Sequence, residues 1–298
     1  MKGTTGMTFI KNLIYGMIIG IANIIPGVSG GTMMVVLDVF DRLVDAIGNI
    51  RNQFKKSVRL LLPIGIGALA AILLFSSIIS WLLDHHYMVT NFFFIGVILG
   101  SIPLVWRKAT ADRFKPAHLV PCAVTLALML FTVYFAPSAA ETIVRSLSPL
   151  VFVKLLLISA VSAICMIIPG ISGSFVMLLF GTYETVTTAL AEFNVLVLIP
   201  IAIGIVLGLV FGSKLISILL HRYPQATYFS ILGFMLGSVP AIVDKIREAN
   251  AFVGGWSVAA AIVVLIFGTL LSYLFSDEKF KNGLIQRFGK GKKSTEKN

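Results

Sequence analysis

The hexapeptide Pro26-Gly27-Val28-Ser29-Gly30-Gly31 breaks an apolar run, and it returns as Pro169-Gly170-Ile171-Ser172-Gly173-Ser174 in the middle of another. Proline removes a backbone donor and clashes with the preceding helical turn, while glycine permits positive φ and close backbone approach. Neither run can therefore be one continuous helix. In lipid, non-helical backbone must be buried in protein or line a cavity. Breaks at corresponding places in two halves of a chain point to a transporter's binding site.

The lipid setting follows from composition. Of 298 residues, 57% are hydrophobic and only 12% charged, with a mean hydropathy of +0.96; soluble domains carry about 25% charged residues. The chain reads as an all-α integral membrane protein. The first 25 residues resemble a signal peptide, with Lys2 before an apolar stretch, but the broken-helix motif stands where a small-residue cleavage site would, so the segment is expected to be retained. Cys122 and Cys165 lie far apart inside apolar segments and build neither a disulfide framework nor a metal site.

The chain is duplicated. An offset of 143 aligns IIPGVSGGTMM (24–34) with IIPGISGSFVM (167–177), identical at seven of eleven positions, and pairs Lys11 with Lys154 and Asp41 with Glu184. Further on, an offset of 137 aligns LLPIGIG (61–67) with LIPIAIG (198–204), and Gly100-Ser101-Ile102-Pro103 with Gly237-Ser238-Val239-Pro240. An extra basic loop around Arg51–Arg59 absorbs the six-residue difference.

Each half holds five apolar segments: 8–25, 32–48, 60–83, 91–106 and 118–136, then 149–168, 174–190, 196–220, 228–243 and 255–275. A spanning helix needs about 20 apolar residues. Segment 32–48, with Asp38, Asp41, Arg42 and Asp45, carries too much charge to face lipid. Segments 8–48 and 149–190 are therefore expected to be re-entrant hairpins, with full spans at 60–83, 91–106, 118–136, 196–220, 228–243 and 255–275. With the N-terminus cytoplasmic, the basic stretches at Arg51–Arg59, Arg107–Lys115, His221-Arg222 and the tail after Lys279 all fall inside, as the positive-inside rule requires. The loop at Asp84, His85 and His86 and the linker 137–148 fall outside. Three crossings per half invert the second half relative to the first. The expected organisation is two inverted repeats, 1–137 and 138–276, followed by a basic cytoplasmic tail, 277–298, resting on anionic lipid. Nothing aromatic or fold-like accompanies the basic charge, so nucleic acid is not an expected partner.

Each tip ends one helix at Pro-Gly and starts another after Ser-Gly, offering free N–H groups at the positive end of a helix dipole. This arrangement suits an anion or a phosphate. The substrate-binding candidates are Pro26, Gly27, Ser29, Gly30, Gly31, Thr32, Pro169, Gly170, Ser172, Gly173 and Ser174. Asp41 and Glu184 are matched carboxylates and candidates for proton coupling. Lys11 and Lys154, each near a turn into the entering helix, are candidates for head-group capture. Asn23 is a mid-segment polar residue whose partner is Met166.

Enzymatic readings fare poorly. Both motif copies match the G-x-S-G serine signature of rhomboid-type proteases, but a serine nucleophile needs a nearby base. His85, His86, His118 and His221 all fall at segment ends. No H-E-x-x-H stands in the chain, no cofactor is expected, and the chain is read as a non-enzyme.

IIPGVSGGTMMVVLDVFDRL and IIPGISGSFVMLLFGTYETV, with both Gly-Ser-x-Pro segments, resemble the PopT-type polyprenyl-phosphate transporter family, formerly a bacterial membrane family of unknown function, from Phe9 to about Phe275. The resemblance implies a bacterial cell-membrane flippase that returns undecaprenyl phosphate from the outer to the cytoplasmic leaflet for cell-envelope glycan synthesis. The residues alone reach only an anionic or phosphate group held between two hairpins. An inorganic-anion channel or exchanger would use the same broken helices, and a membrane assembly factor would need only the scaffold. The chain departs from its own symmetry where Gly31-Thr32 becomes Ser174-Phe175.

Overall fold

The computed structural model describes residues 2–24, 29–111, 114–135, 143–249, 251 and 255–276. Pro26, Gly27, the start of the linker (137–142) and the basic tail lie outside the described residues.

The described chain is all helical, with no strand: α1 Lys2–Ile24, α2 Gly30–Val36, α3 Phe40–Gly48, α4 Phe54–Ala109, a 3-10 turn Pro116–His118, α5 Leu119–Phe135, α6 Pro149–Ile167, α7 Gly173–Leu179, α8 Tyr183–Ala191, α9 Val195–Arg222, α10 Pro224–Glu248 and α11 Trp256–Ser276. Seven helical segments are long and apolar enough to cross a membrane: Phe54–Ile79, Trp81–Ala109, Pro116–Phe135, Pro149–Ile167, Val195–Arg222, Pro224–Glu248 and Trp256–Leu274. Six correspond to the expected spans. The seventh, α6, lies in the segment expected to enter a hairpin; its 19 residues reach roughly 28 Å at the α-helical rise.

Local chemistry explains two departures from the expected segments. The Asp84–His86 stretch does not open into a loop. The helix runs through it with a kink at His86 (φ −135°, ψ 42°), and His85 stacks on Trp81 one turn back. Segment 32–48 breaks again at Asp38, whose φ of +57° ends α2 and redirects the chain into α3. Aspartate tolerates this left-handed conformation better than most residues. Gly181, which the 143-residue offset places opposite Asp38, has φ +62° and makes the same break between α7 and α8.

The long helices pack through glycine. Gly16 and Gly20 of α1 press on the backbone of Ile64 and Ala68 in α4, and Gly204 and Gly208 of α9 press on Leu156 and Ala160 in α6. A Cβ at Gly16 would lie 2.0 Å from the Ile64 carbonyl oxygen, so the two backbones are in contact. Such close approach is how helices associate where lipid removes the hydrophobic drive.

The last helix of each half packs on the other half. Gly96 and Gly100 in the second limb of α4 meet Leu265 and Thr269 of α11, while Gly233 and Gly237 of α10 meet Cys122 and Met129 of α5. The two glycine pairs are 137 residues apart, the offset of the duplication. This exchange ties the halves into one core around Ile98, Val105, Phe229 and Met235.

Candidate functional site

The two motif copies, nearly half a chain apart, meet. Ser29 takes extended backbone (φ −91°, ψ 133°) and caps α2, its Oγ accepting from the Gly31 N–H at 3.2 Å. Across the junction, the Ser29 hydroxyl donates to the Ile168 carbonyl at 3.4 Å. The Gly170 N–H donates to the Thr32 hydroxyl at 3.0 Å. Gly31 fits here because a Cβ would sit 2.6 Å from the Ile167 carbonyl oxygen.

The tips are not equivalent. Ser29 and Thr32 are 4% and 1% exposed, and Gly30 and Gly31 are buried with them. Their hydroxyls are already engaged in holding the junction together. In the second copy Gly173 is buried, with its carbonyl accepting from the Ser162 hydroxyl at 2.6 Å. Ser172 caps α7 without a side-chain hydrogen bond to the helix; it is half-buried, and Ser174 is exposed. Their hydroxyls lie 2.7 Å apart. The second tip thus presents two neighbouring hydroxyls, and the first presents a braced support.

Gly170 locks this arrangement. Its φ is +91°, and a Cβ would fall 2.6 Å from the Phe234 carbonyl in α10. Gly170→Ala combines left-handed strain with overpacking against backbone, an expected loss of about 2–5 kcal/mol. Thermal unfolding of purified protein should register it as a large drop in Tm, whereas Gly65→Ala, with nothing within 4 Å of the new Cβ, should leave Tm unchanged or raised.

The second cluster lies where α3 meets the long helices. Lys108, near the end of α4, bridges Asp38 at 2.7 Å and Asp41 at 2.9 Å. Tyr228 of α10 donates its hydroxyl to Asp41 at 2.5 Å, and the Lys108 ammonium lies over the Tyr228 ring. One turn on, the Ser217 hydroxyl of α9 donates to Asp45, with His221 Nε2 3.8 Å from the same carboxylate. Gly48 lets α3 lie against the backbone of Lys214. One short helix of the first half is thereby fastened to α4, α9 and α10.

The expected candidates divide accordingly. Asp41 sits within this ion network, and its counterpart Glu184 is exposed on α8. Lys11 and Lys154 are both exposed, with Lys11 over the Tyr15 ring. The amide of Asn23 packs against Gly30. Sequence reasoning missed Asp38, Lys108, Tyr228 and Ser217. One signal was present: the 137-residue offset pairs Lys108 with Lys245, matched cations two residues past the end of an apolar segment. Among the described residues, no group of three or more His, Cys, Asp or Glu side chains is placed to hold a metal ion.

Residues 19–255 match a family described as undecaprenyl phosphate translocase-like. The chain is 30% identical over 272 residues to a protein of Staphylococcus aureus named polyprenyl-phosphate transporter, covering 88% of this chain and 94% of the relative. It is also 30% identical over 256 residues to a Vibrio cholerae protein of the same name, covering 81% of this chain and 80% of that one. No solved structure matches the chain.

Proposed function

Because this chain belongs to the undecaprenyl phosphate translocase-like family, we propose that it carries polyprenyl phosphate across the bacterial cell membrane, returning undecaprenyl phosphate from the outer to the inner leaflet for reuse in cell-envelope glycan synthesis. The observation that carries this reading is the meeting of the two broken-helix tips, with Ser172 half-buried and Ser174 exposed beside it. The phosphate docks on those hydroxyls and the neighbouring backbone, and the prenyl chain stays in lipid. A preformed polar site replaces the hydration that a phosphate loses in hydrocarbon, where a bare charge is very costly.

The architecture behind this reading is a pair of inverted repeats, 1–137 and 138–276, each with a re-entrant hairpin, and a cytoplasmic tail, 277–298. The contact of Gly67 on Leu13 between α4 and α1 recurs as that of Gly204 on Leu156 between α9 and α6, at the offsets of the duplication, and supports the repeat. So do the matched left-handed breaks at Asp38 and Gly181. Both termini are assigned to the cytoplasm, which puts the Lys108–Asp38–Asp41–Tyr228 network on the cytoplasmic side. There α3 leans across onto α9 of the other half, whereas its counterpart α8 packs on α9 within its own half. The conformation is accordingly closed inside and reached from outside, the state that collects a lipid from the outer leaflet. Rocking one half against the other exposes the site inward. Asp41, in the Lys108 network, and Glu184, on α8, are the candidates for proton coupling.

Ion flux separates this reading from an anion channel. Liposomes containing the protein but no polyprenyl lipid should pass neither chloride nor inorganic phosphate above the protein-free background. Rapid flux of either anion would overturn the lipid-carrier assignment.

A further inference from the structure

The extra basic loop of the first half has no role in the tip site. It leads into an apolar groove of about 400 Å³ along the first limb of α4, lined by Ile50, Val58, Leu62, Gly65, Ile66 and Leu69 among others. The residues at its head are cationic and exposed: Arg51 follows Ile50, and Lys55, Lys56 and Arg59 occupy the first two turns of α4. Lys55, Val58, Leu62 and Leu69 recur at helical spacing on one face, so the charged end and the apolar trough are continuous. Gly65 forms part of the floor, and nothing lies within 4 Å of where its Cβ would be.

The second half keeps apolar residues at the matching places, Val195, Ile199, Ile203 and Val206, but lacks the cationic head and the glycine. At the corresponding positions Ala202 replaces Gly65, and Glu192, Phe193 and Asn194 precede α9 without a cation. A general feature of a duplicated lipid-facing helix would occur twice.

We propose that this groove is a docking site for a polyprenyl phosphate in the cytoplasmic leaflet, with its phosphate on the Arg51/Lys55/Lys56/Arg59 rim and the first isoprene units over Gly65. The inference rests on the polyprenyl-phosphate carrier reading and adds a second, one-sided site to it. Charge selects the occupant. A phosphate monoester carries about −1.5 to −2 charge at neutral pH, which four clustered cations match better than the single charge of a phospholipid diester. The trough follows one helix and takes one chain, and the gap at Gly65 admits the methyl branches of an isoprenoid. Lipid released from the tip site is held at the surface where cytoplasmic enzymes use it.

The test is photolabelling of the full-length protein in phosphatidylethanolamine nanodiscs with undecaprenyl phosphate bearing a diazirine in its chain. Adducts are expected within residues 58–69 and near the tips. Gly65→Phe, which fills open space and removes a helix-weakening glycine, should cut the 58–69 adducts roughly tenfold or more, as should Lys55→Gln with Arg59→Gln, through lost shape and charge complementarity respectively. Tip adducts should persist in both variants. The groove proposal is overturned if the 58–69 adducts are missing from wild type, survive both variants, or disappear equally with an equal amount of phosphatidylglycerol. In each of those cases tip adducts would leave the carrier reading standing, whereas loss of adducts everywhere, together with no leaflet transfer, would sink both.

Discussion

Ser172→Ala combined with Ser174→Ala is expected to reduce polyprenyl-phosphate transfer by roughly 10²–10⁴-fold, at about 1.5–3 kcal/mol for each hydrogen bond to a charged group, while the protein still folds and inserts. The two hydroxyls bond each other at 2.7 Å, and the Ser172 side chain makes no capping bond to α7, so their removal touches the site rather than the scaffold. Ser29→Ala should behave differently. Its hydroxyl caps α2 and reaches the Ile168 carbonyl, so the change should cost about 1 kcal/mol of stability and lower transfer only through a loosened junction. Transfer and thermal unfolding measured on the same preparations separate the two roles. A Ser172/Ser174 double variant that moves lipid at the wild-type rate would remove the tip from the mechanism.

The second large effect is expected at Lys108. Its side chain is 25% exposed, with Asp38 and Asp41 at 29% and 40%, so the network is only partly screened. Lys108→Met removes the cation that bridges the two carboxylates. Breaking a fully buried pair costs about 3–5 kcal/mol, and the exposure here reduces that to roughly 1–3 kcal/mol. The loss falls on the state in which α3 is fastened to α4 and α10, so the side this network closes, cytoplasmic in the proposed topology, should open in a population raised about 5- to 150-fold. A cysteine introduced at Val35, 2% exposed beneath α3, should react faster with a membrane-impermeant thiol reagent from the cytoplasmic side, in a background with Cys122 and Cys165 replaced. Adding Asp38→Asn and Asp41→Asn should restore closure, because asparagine keeps the left-handed turn at 38 and still accepts from Tyr228. Unchanged reactivity in Lys108→Met would show that this network does not hold the closed side.

Much of this organisation was legible in residue order. The doubled motif required two interior breaks, and the offsets of 143 and 137 anticipated which glycines would occupy equivalent helix contacts. What could not be read was how the tips differ. Ser29 and Ser172 occupy equivalent places in the two copies, yet one is buried and the other half-open. Their surroundings are set by which helix of the other half lies against each tip. The place of Thr32 was equally hidden: its hydroxyl accepts from the Gly170 N–H of the other copy, 138 residues away. The charges at Asp84–His86 signalled a loop, but a kinked helix satisfies its own backbone and carries those side chains at its bend. Lys108 was hidden because a cation beside an apolar segment reads as a topology marker. Only the fold brings Asp38 and Asp41, 67 and more residues away, onto it.

The most direct measurement is leaflet transfer of fluorescent undecaprenyl phosphate by purified protein in liposomes, followed by a membrane-impermeant quencher, with and without a proton gradient. Transfer well above protein-free liposomes, accelerated by the gradient and competed by unlabelled polyprenyl phosphate but not by chloride, is the expected result. A transfer rate equal to that of protein-free liposomes in both conditions would contradict the assignment.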